Sequence, residues 1–362
     1  VIRSLTRHLG RSWRWLRWVV AIGLLAWLFY GNRAAVAEVA RGPKAWGFLA
    51  LASLTLLATY LLTFARWWVL VRAQRLEFPL GRAFRLGFIG LVANYVAPGA
   101  VGGDVVKTIL MVRDQPRRRT VAVATVILDR IVGMLGLFLV GSGIALVPSN
   151  ALDHPDLAPV RWLMWGGSVA GVTALVLMLQ PWLTRSRWVR ALERLPRVGG
   201  FARELIEGVG LYQSRPGAVW LALGMGVACQ CGLIVGFYLC ARWMRQAWTP
   251  DLATHFFFLP TTFLFGAFVP VPAGMGALEG AVQWFYERVR PDGITAEAAG
   301  AAGFLAALAF RIVTMAIAAI GGGYYLTARG EIAREIAARE GVGDGEDERG
   351  PPPTAESRDG VA

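Results

Sequence analysis

Six apolar runs recur along the 362 residues, at roughly 15–33, 45–65, 121–147, 162–183, 217–241 and 296–327. A run of about 20 apolar residues matches the ~30 Å hydrocarbon core of a bilayer when it is helical. Only helices and closed barrels satisfy their backbone polar groups there, and barrel strands need only about 10 residues each. The runs therefore predict an all-α polytopic membrane protein with about six spanning helices. Charged residues make up 17% of the chain, against ~25% in soluble domains, which argues against a soluble enzyme.

Two further apolar stretches, 83–103 and 252–279, are interrupted by Pro and Gly. The first ends in Asn94-Tyr95-Val96-Ala97-Pro98-Gly99-Ala100-Val101-Gly102-Gly103-Asp104, and the second in Val269-Pro270-Val271-Pro272-Ala273-Gly274-Met275-Gly276-Ala277-Leu278-Glu279. Proline removes a backbone donor, and irregular backbone survives at membrane depth only against protein or a water-filled cavity. Both stretches read as re-entrant loops, each made of two short helices.

The basic residues set the orientation. Segments 1–17, 66–85, 104–120 and 184–216 hold 22 Lys and Arg, and the alternate loops hold 8. The positive-inside rule then places both termini in the cytoplasm. The formal net charge of +13 is spread among apolar runs, which points to anionic lipid headgroups and excludes nucleic acid, whose binding needs a basic face on a soluble domain. The amino-terminal run reads as a retained signal anchor. Residues 1–328 form the membrane domain, with units at roughly 1–150 and 160–328. Residues 329–362, acidic and Pro/Gly-rich near the end, read as a disordered cytoplasmic tail.

The chain also repeats itself. Ala65-Arg66-Trp67-Trp68 is answered by Ala241-Arg242-Trp243-Met244, Pro98 by Pro272, and Asp129-Arg130-Ile131-Val132 by Phe310-Arg311-Ile312-Val313. Three matches in one order predict two units. Each unit has three crossings and one loop, so the second lies inverted on the first, as in many transporters. Gly224, Ala228, Gly232 and Gly236, like Gly167 and Gly171, read as packing positions that let helices approach. Cys229, Cys231 and Cys240 lie in one apolar run and read as small hydrophobes. No metal or cofactor site is expected.

The charges inside the runs are the candidate site. Arg311 lies near the middle of the last run, where an arginine costs about 2.5–3.5 kcal/mol on insertion scales. Asp129 and Arg130 lie within the third run, and Asp104 and Glu279 close the two loops. Each unit thus offers one loop carboxylate and one helix arginine. Either these form structural ion pairs, or the arginines meet an anionic headgroup, with backbone N–H groups at Gly102 and Gly103 adding donors. A third reading gives the acids a role in proton or ion coupling. Asn94 and Lys107 are further candidates, Asn94 inside the loop and Lys107 at its cytoplasmic mouth.

At these residues the chain resembles the transmembrane-region family of lysylphosphatidylglycerol synthases, often called flippase-like. The resemblance covers roughly 15–328 and rests on Asn94–Asp104 with Lys107, on Asp129-Arg130, on Pro270–Glu279 and on Arg311. It implies a bacterial inner-membrane protein linked to lipid translocation. The chain continues for about 34 residues past the last run, so no synthase activity is expected, and no catalytic constellation is evident. The leading expectation is a lipid translocator or lipid-binding transporter with membrane lipids as partners. The alternative is a non-catalytic accessory subunit of an envelope-biosynthesis enzyme.

Overall fold

The structure, a computed structural model, describes residues 19, 22–23, 25–96, 102–115, 118–144, 146, 157–186, 199–246, 248–269 and 271–347. Among these residues the regular elements are helices and there is no strand: α1 (Arg33–Arg41), α2 (Trp46–Ala73), α3 (Leu80–Val96), α4 (Gly102–Asp114), α5 (Arg119–Ile144), α6 (Ala158–Leu179), α7 (Pro181–Arg185), α8 (Gly199–Ser214), α9 (Pro216–Trp243), α10 (Leu252–Phe268), α11 (Ala277–Val289) and α12 (Ala296–Asp347). Five are long and apolar enough to cross a bilayer: α2, α5, α6, α9 and Ala296–Gly323 of α12. The protein is thus an all-α, multi-pass membrane protein. The sixth expected span, 15–33, lies largely outside the described residues, although 25–31 are helical.

Helix lengths recur along the chain. α2 to α5 have 28, 17, 13 and 26 residues. α9, α10 and α11 have 28, 17 and 13, and the apolar part of α12 has 28. The matched series begin at Trp46 and Pro216, inside the broader units expected from sequence. At 1.5 Å per residue the short helices reach only about 20–25 Å, less than the ~30 Å core.

The two 28-residue helices pack on each other along most of their length. Leu56 meets Gly236, Thr59 meets Gly232, and Arg66 meets Gly226, while Thr63 Oγ1 lies 3.4 Å from Cys229 Sγ. Numbers rise on α2 as they fall on α9, so the helices are antiparallel. A Cβ on Gly232 would lie 2.2 Å from Thr59 Oγ1 and one on Gly236 2.5 Å from Leu56, so glycine permits this approach. Gly224 faces open space, because the contact stripe on α9 runs through Gly226, Cys229, Gly232 and Gly236 and misses it. Gly167 and Gly171 do pack, under Phe138 and Leu135 of α5.

Two expected boundaries move. α2 continues to Ala73, past the expected end at 65, because Trp67, Leu70 and Val71 are buried. The segment expected to be disordered from 329 is helical as far as Asp347. Its Glu331-Ile332-Ala333-Arg334-Glu335-Ile336-Ala337-Ala338-Arg339 stretch is rich in strong helix formers, a preference that an argument from acidity and core-forming power overlooks. Residues 348–362 lie outside the described residues.

Candidate functional site

The second Pro/Gly segment makes a tight turn between α10 and α11. Ala273, Gly274 and Gly276 have φ of 49°, 64° and 81°, in the left-handed region that favours glycine. At Gly274 a Cβ would also stand 2.9 Å from the Gly266 carbonyl oxygen. α11 then begins, with Glu279 as its third residue. Glu279 Oε2 accepts from the Gly276 backbone N–H at 2.7 Å, which satisfies one of the donors a helix start leaves open.

Arg311 of α12 closes this turn. Its Nε donates to Glu279 Oε1 at 2.5 Å and its Nη1 to the Ala273 carbonyl at 2.9 Å. Glu279 is fully buried and the Arg311 side chain is 8% exposed. Nη2 is buried and has no hydrogen-bond partner among the described residues. Arg311 lines a cavity of about 270 Å³ between the turn, α2, α3, α9, α10 and α12, together with Tyr60, Asn94, Tyr95, Gly274 and Thr314. Tyr95 Oη donates to Thr314 Oγ1 at 2.9 Å, which in turn donates to the Arg311 carbonyl at 3.0 Å. Polar groups from both halves of the chain thus line the cavity that Arg311 borders.

The first Pro/Gly segment provides the other wall. Pro98 and its neighbours 97–101 lie outside the described residues. Asn94 Oδ1 accepts from the Gly103 backbone N–H at 2.7 Å. A Cβ on Gly103 would fall 2.2 Å from the Gly90 carbonyl oxygen, so only glycine lets α3 and α4 meet here. Gly102 and Gly103 are the first residues of α4 and are buried. The Gly103 N–H, expected to face an anion, is spent on Asn94 instead.

Asp104 is the third residue of α4, as Glu279 is of α11. Its Oδ2 accepts from Arg130 Nη1, and Lys107 Nζ lies 3.8 Å from Oδ1. The loop acid and the helix arginine therefore pair in both units, but the surroundings differ. The Arg130 side chain is 31% exposed and that of Arg311 8%. Lys107 is not at a mouth. Its side chain is 11% exposed, its Cε would meet a Cβ on Gly90 at 2.7 Å, and its ammonium sits 5.6 Å from the Trp67 ring and 5.9 Å from that of Phe64.

Asp129, though adjacent to Arg130 in sequence, points elsewhere. Its Oδ1 accepts from Arg66 Nε at 2.8 Å and its carbonyl from Arg66 Nη2 at 3.3 Å. The guanidinium lies where α2, α5 and α9 meet, in room left by Gly133 and Gly226. Asp129 therefore faces neither the cavity nor Arg130, since successive helical residues diverge by about 100°. Arg66 appears in the sequence as part of the repeat and of the basic segment 66–85, which gives no sign that it is buried. The apolar residues Trp67 to Val71 that follow it were the available signal. Tyr60, Tyr95 and Thr314 were missed too, since a single polar group in an apolar run shows no direction.

A family model described as the lysylphosphatidylglycerol synthase TM region matches residues 14–322. No match to the chain was found among curated proteins or solved structures. The matched span takes in both helix series, both loop acids, both paired arginines and the cavity between them. The chain belongs to the lysylphosphatidylglycerol synthase transmembrane-region family.

Proposed function

We propose that this chain is a bacterial inner-membrane carrier that moves an anionic phospholipid, or a related lipid, between leaflets, without catalysing a reaction. The observation that carries this reading is the buried Nη2 of Arg311, without a hydrogen-bond partner among the described residues, beside a largely apolar cavity that also carries Tyr60, Asn94, Tyr95 and Thr314. A buried donor left unsatisfied is costly, and a headgroup phosphate would supply the missing acceptor with a charge-assisted bond. Asn94 and Glu279 then hold the loops that shape the cavity, while Asp104 and Arg130 tie the opposite loop to its span.

In this reading the two helix series are inverted repeats, and the α3–α4 and α10–α11 pairs are re-entrant. The antiparallel contact of α2 with α9 supports it, because helices at equivalent positions run oppositely only if their units do. The short lengths of these four helices support re-entrance, and the charge asymmetry supports cytoplasmic termini. Rocking of one unit on the other would expose the cavity to each leaflet in turn.

The test is a reconstituted assay. Purified protein in vesicles containing headgroup-labelled phosphatidylglycerol should exchange label between leaflets, and the folded Arg311→Met/Glu279→Gln double variant should not. Full exchange by that variant would remove Arg311 from the mechanism. An accessory role draws on a different observation: Arg311 already donates to Glu279 and Ala273, which locks the turn. Wild-type protein that binds phosphatidylglycerol but exchanges none would favour the accessory role.

A further inference from the structure

Two further donors border the Arg311 cavity without a partner among the described residues. Tyr60 of α2 lines it, and its hydroxyl makes no hydrogen bond there. Asn94 of α3 lines it too, and its Oδ1 accepts from the Gly103 N–H at 2.7 Å. A backbone N–H can only donate, so this bond fixes the direction of the amide and leaves the Nδ2 hydrogens unused. Neither Nδ2 nor the Tyr60 hydroxyl is sealed in the packing. Both share with the buried Arg311 Nη2 a cavity of about 270 Å³.

Acceptors are scarce on the same walls. Arg311 is the one charged residue lining the cavity among the described residues, and much of the rest is apolar, as at Leu91, Leu233, Phe263 and Phe310. Glu279 is fully buried, with Oε1 engaged by Arg311 and Oε2 by the Gly276 N–H. The Ala273 carbonyl accepts from Arg311 Nη1, and Thr314 Oγ1 accepts from Tyr95. The Arg311–Glu279 pair sums to zero charge, so a surplus of donors rather than net charge marks this cavity.

Hydrogen-bond chemistry then separates one headgroup from another. A phosphate accepts from Arg311 Nη2, a headgroup hydroxyl accepts from Asn94 Nδ2, and the Tyr60 hydroxyl donates or accepts. An ammonium carries donors alone. It would meet the donors of Asn94 and no carboxylate, leaving its desolvation uncompensated. The rings of Tyr60, Tyr95, Phe263 and Phe310 offer it a face, but a ring returns less than a buried ion loses.

We infer that Tyr60 and Asn94 read the headgroup substituent, so that the cavity takes a phosphodiester lipid bearing headgroup hydroxyls in preference to one bearing an ammonium. This rests on the lipid reading of the Arg311 cavity given above, and narrows it from anionic phospholipids in general to the hydroxyl-bearing kind. Selection by net charge would not make that distinction.

Native mass spectrometry of the purified full chain, titrated with three lipids of identical acyl chains, tests it. Phosphatidylglycerol carries two headgroup hydroxyls, phosphatidylethanol has the same charge and none, and phosphatidylethanolamine carries an ammonium. Wild-type protein should bind them in that order. The first step should be about fivefold, the size of one net hydrogen bond. Tyr60→Phe removes only the free hydroxyl and should narrow that step. Asn94→Asp keeps the acceptor for Gly103 but replaces the donor with a carboxylate oxygen, so phosphatidylethanolamine should become the tightest of the three. The wild-type order tests the inference whatever the stability of the variants. Equal wild-type affinity for phosphatidylglycerol and phosphatidylethanol would overturn it and leave the lipid carrier standing, with charge as the selector. Tightest wild-type binding of phosphatidylethanolamine would overturn it by seating the ammonium on the aromatic rings. An unchanged order in both folded variants would remove Tyr60 and Asn94 from recognition. Binding of none of the three would overturn the inference and the lipid reading together.

Discussion

Arg66 Nε donates to Asp129 Oδ1 at 2.8 Å where α2, α5 and α9 meet, with side chains 6% and 10% exposed. Nothing in the cavity touches either residue, so the pair serves to join three helices. Breaking a buried pair from one side leaves an uncompensated charge and costs about 3–5 kcal/mol, whereas apolar replacement of both partners is often neutral. Arg66→Met or Asp129→Leu alone should therefore lower unfolding stability by about that amount. The double variant should recover most of it and retain phosphatidylglycerol exchange. A stable double variant without exchange would give this pair a role in transport.

Arg311 and Glu279 should behave differently. Either single substitution should destabilise by a similar ~3–5 kcal/mol. The Arg311→Met/Glu279→Gln variant should regain stability, measured by denaturant unfolding in detergent, yet lose exchange, because no guanidinium remains to give a phosphate a charge-assisted bond. Arg311→Lys retains the charge but cannot bond Glu279, Ala273 and a phosphate in one plane, so partial activity is expected. Wild-type exchange by Arg311→Lys would show that charge alone suffices.

Gly103→Ala places a methyl group 2.2 Å from the Gly90 carbonyl oxygen. Overpacking of this kind typically costs ~1–3 kcal/mol. Here it should also push α4 from α3 and weaken the Asn94 bond. Thermal unfolding should report the loss, and Gly81→Ala, in open space, should be close to neutral. Equal stability of the two variants would mean that α3 and α4 are not so closely packed.

Topology can be checked with reporter fusions. Fusions after residues 40, 155 and 290 should report the outside, and those after 115, 200 and 335 the cytoplasm. A fusion after 335 on the outside would remove the inverted arrangement of the two units, since three crossings in each unit require the termini to share a side.

Much of the architecture could be read without coordinates, because hydrophobic length is a property of the chain alone. Runs of 20 to 30 apolar residues suit only a spanning helix, and the Pro/Gly clusters at 98–103 and 270–276 mark where helices break, although Pro260 lies inside α10. The similar offsets of Ala65/Ala241 and Arg130/Arg311 predict two units, and the helix lengths recur in the same order. The pairing of a loop acid with the next span's arginine was one of the alternatives the sequence left open, since an isolated mid-membrane charge needs either a partner or a ligand.

Direction was not legible. Asp129 and Arg130 are neighbours in sequence, yet one is enclosed by Arg66 and the other reaches Asp104. An apolar helix carries little polar contrast to say which face turns inward, so only the packing of α2 on α9 decides that Arg66 is interior. Packing likewise gives the Gly103 N–H to Asn94 and sets Lys107 against Phe64 and Trp67. The sequence alone determined a polytopic helical membrane protein with charges inside its apolar helices. Which charges are locked, and which guanidinium nitrogen beside the cavity is left without a partner among the described residues, are properties of how the helices pack, and only the tertiary structure decided them.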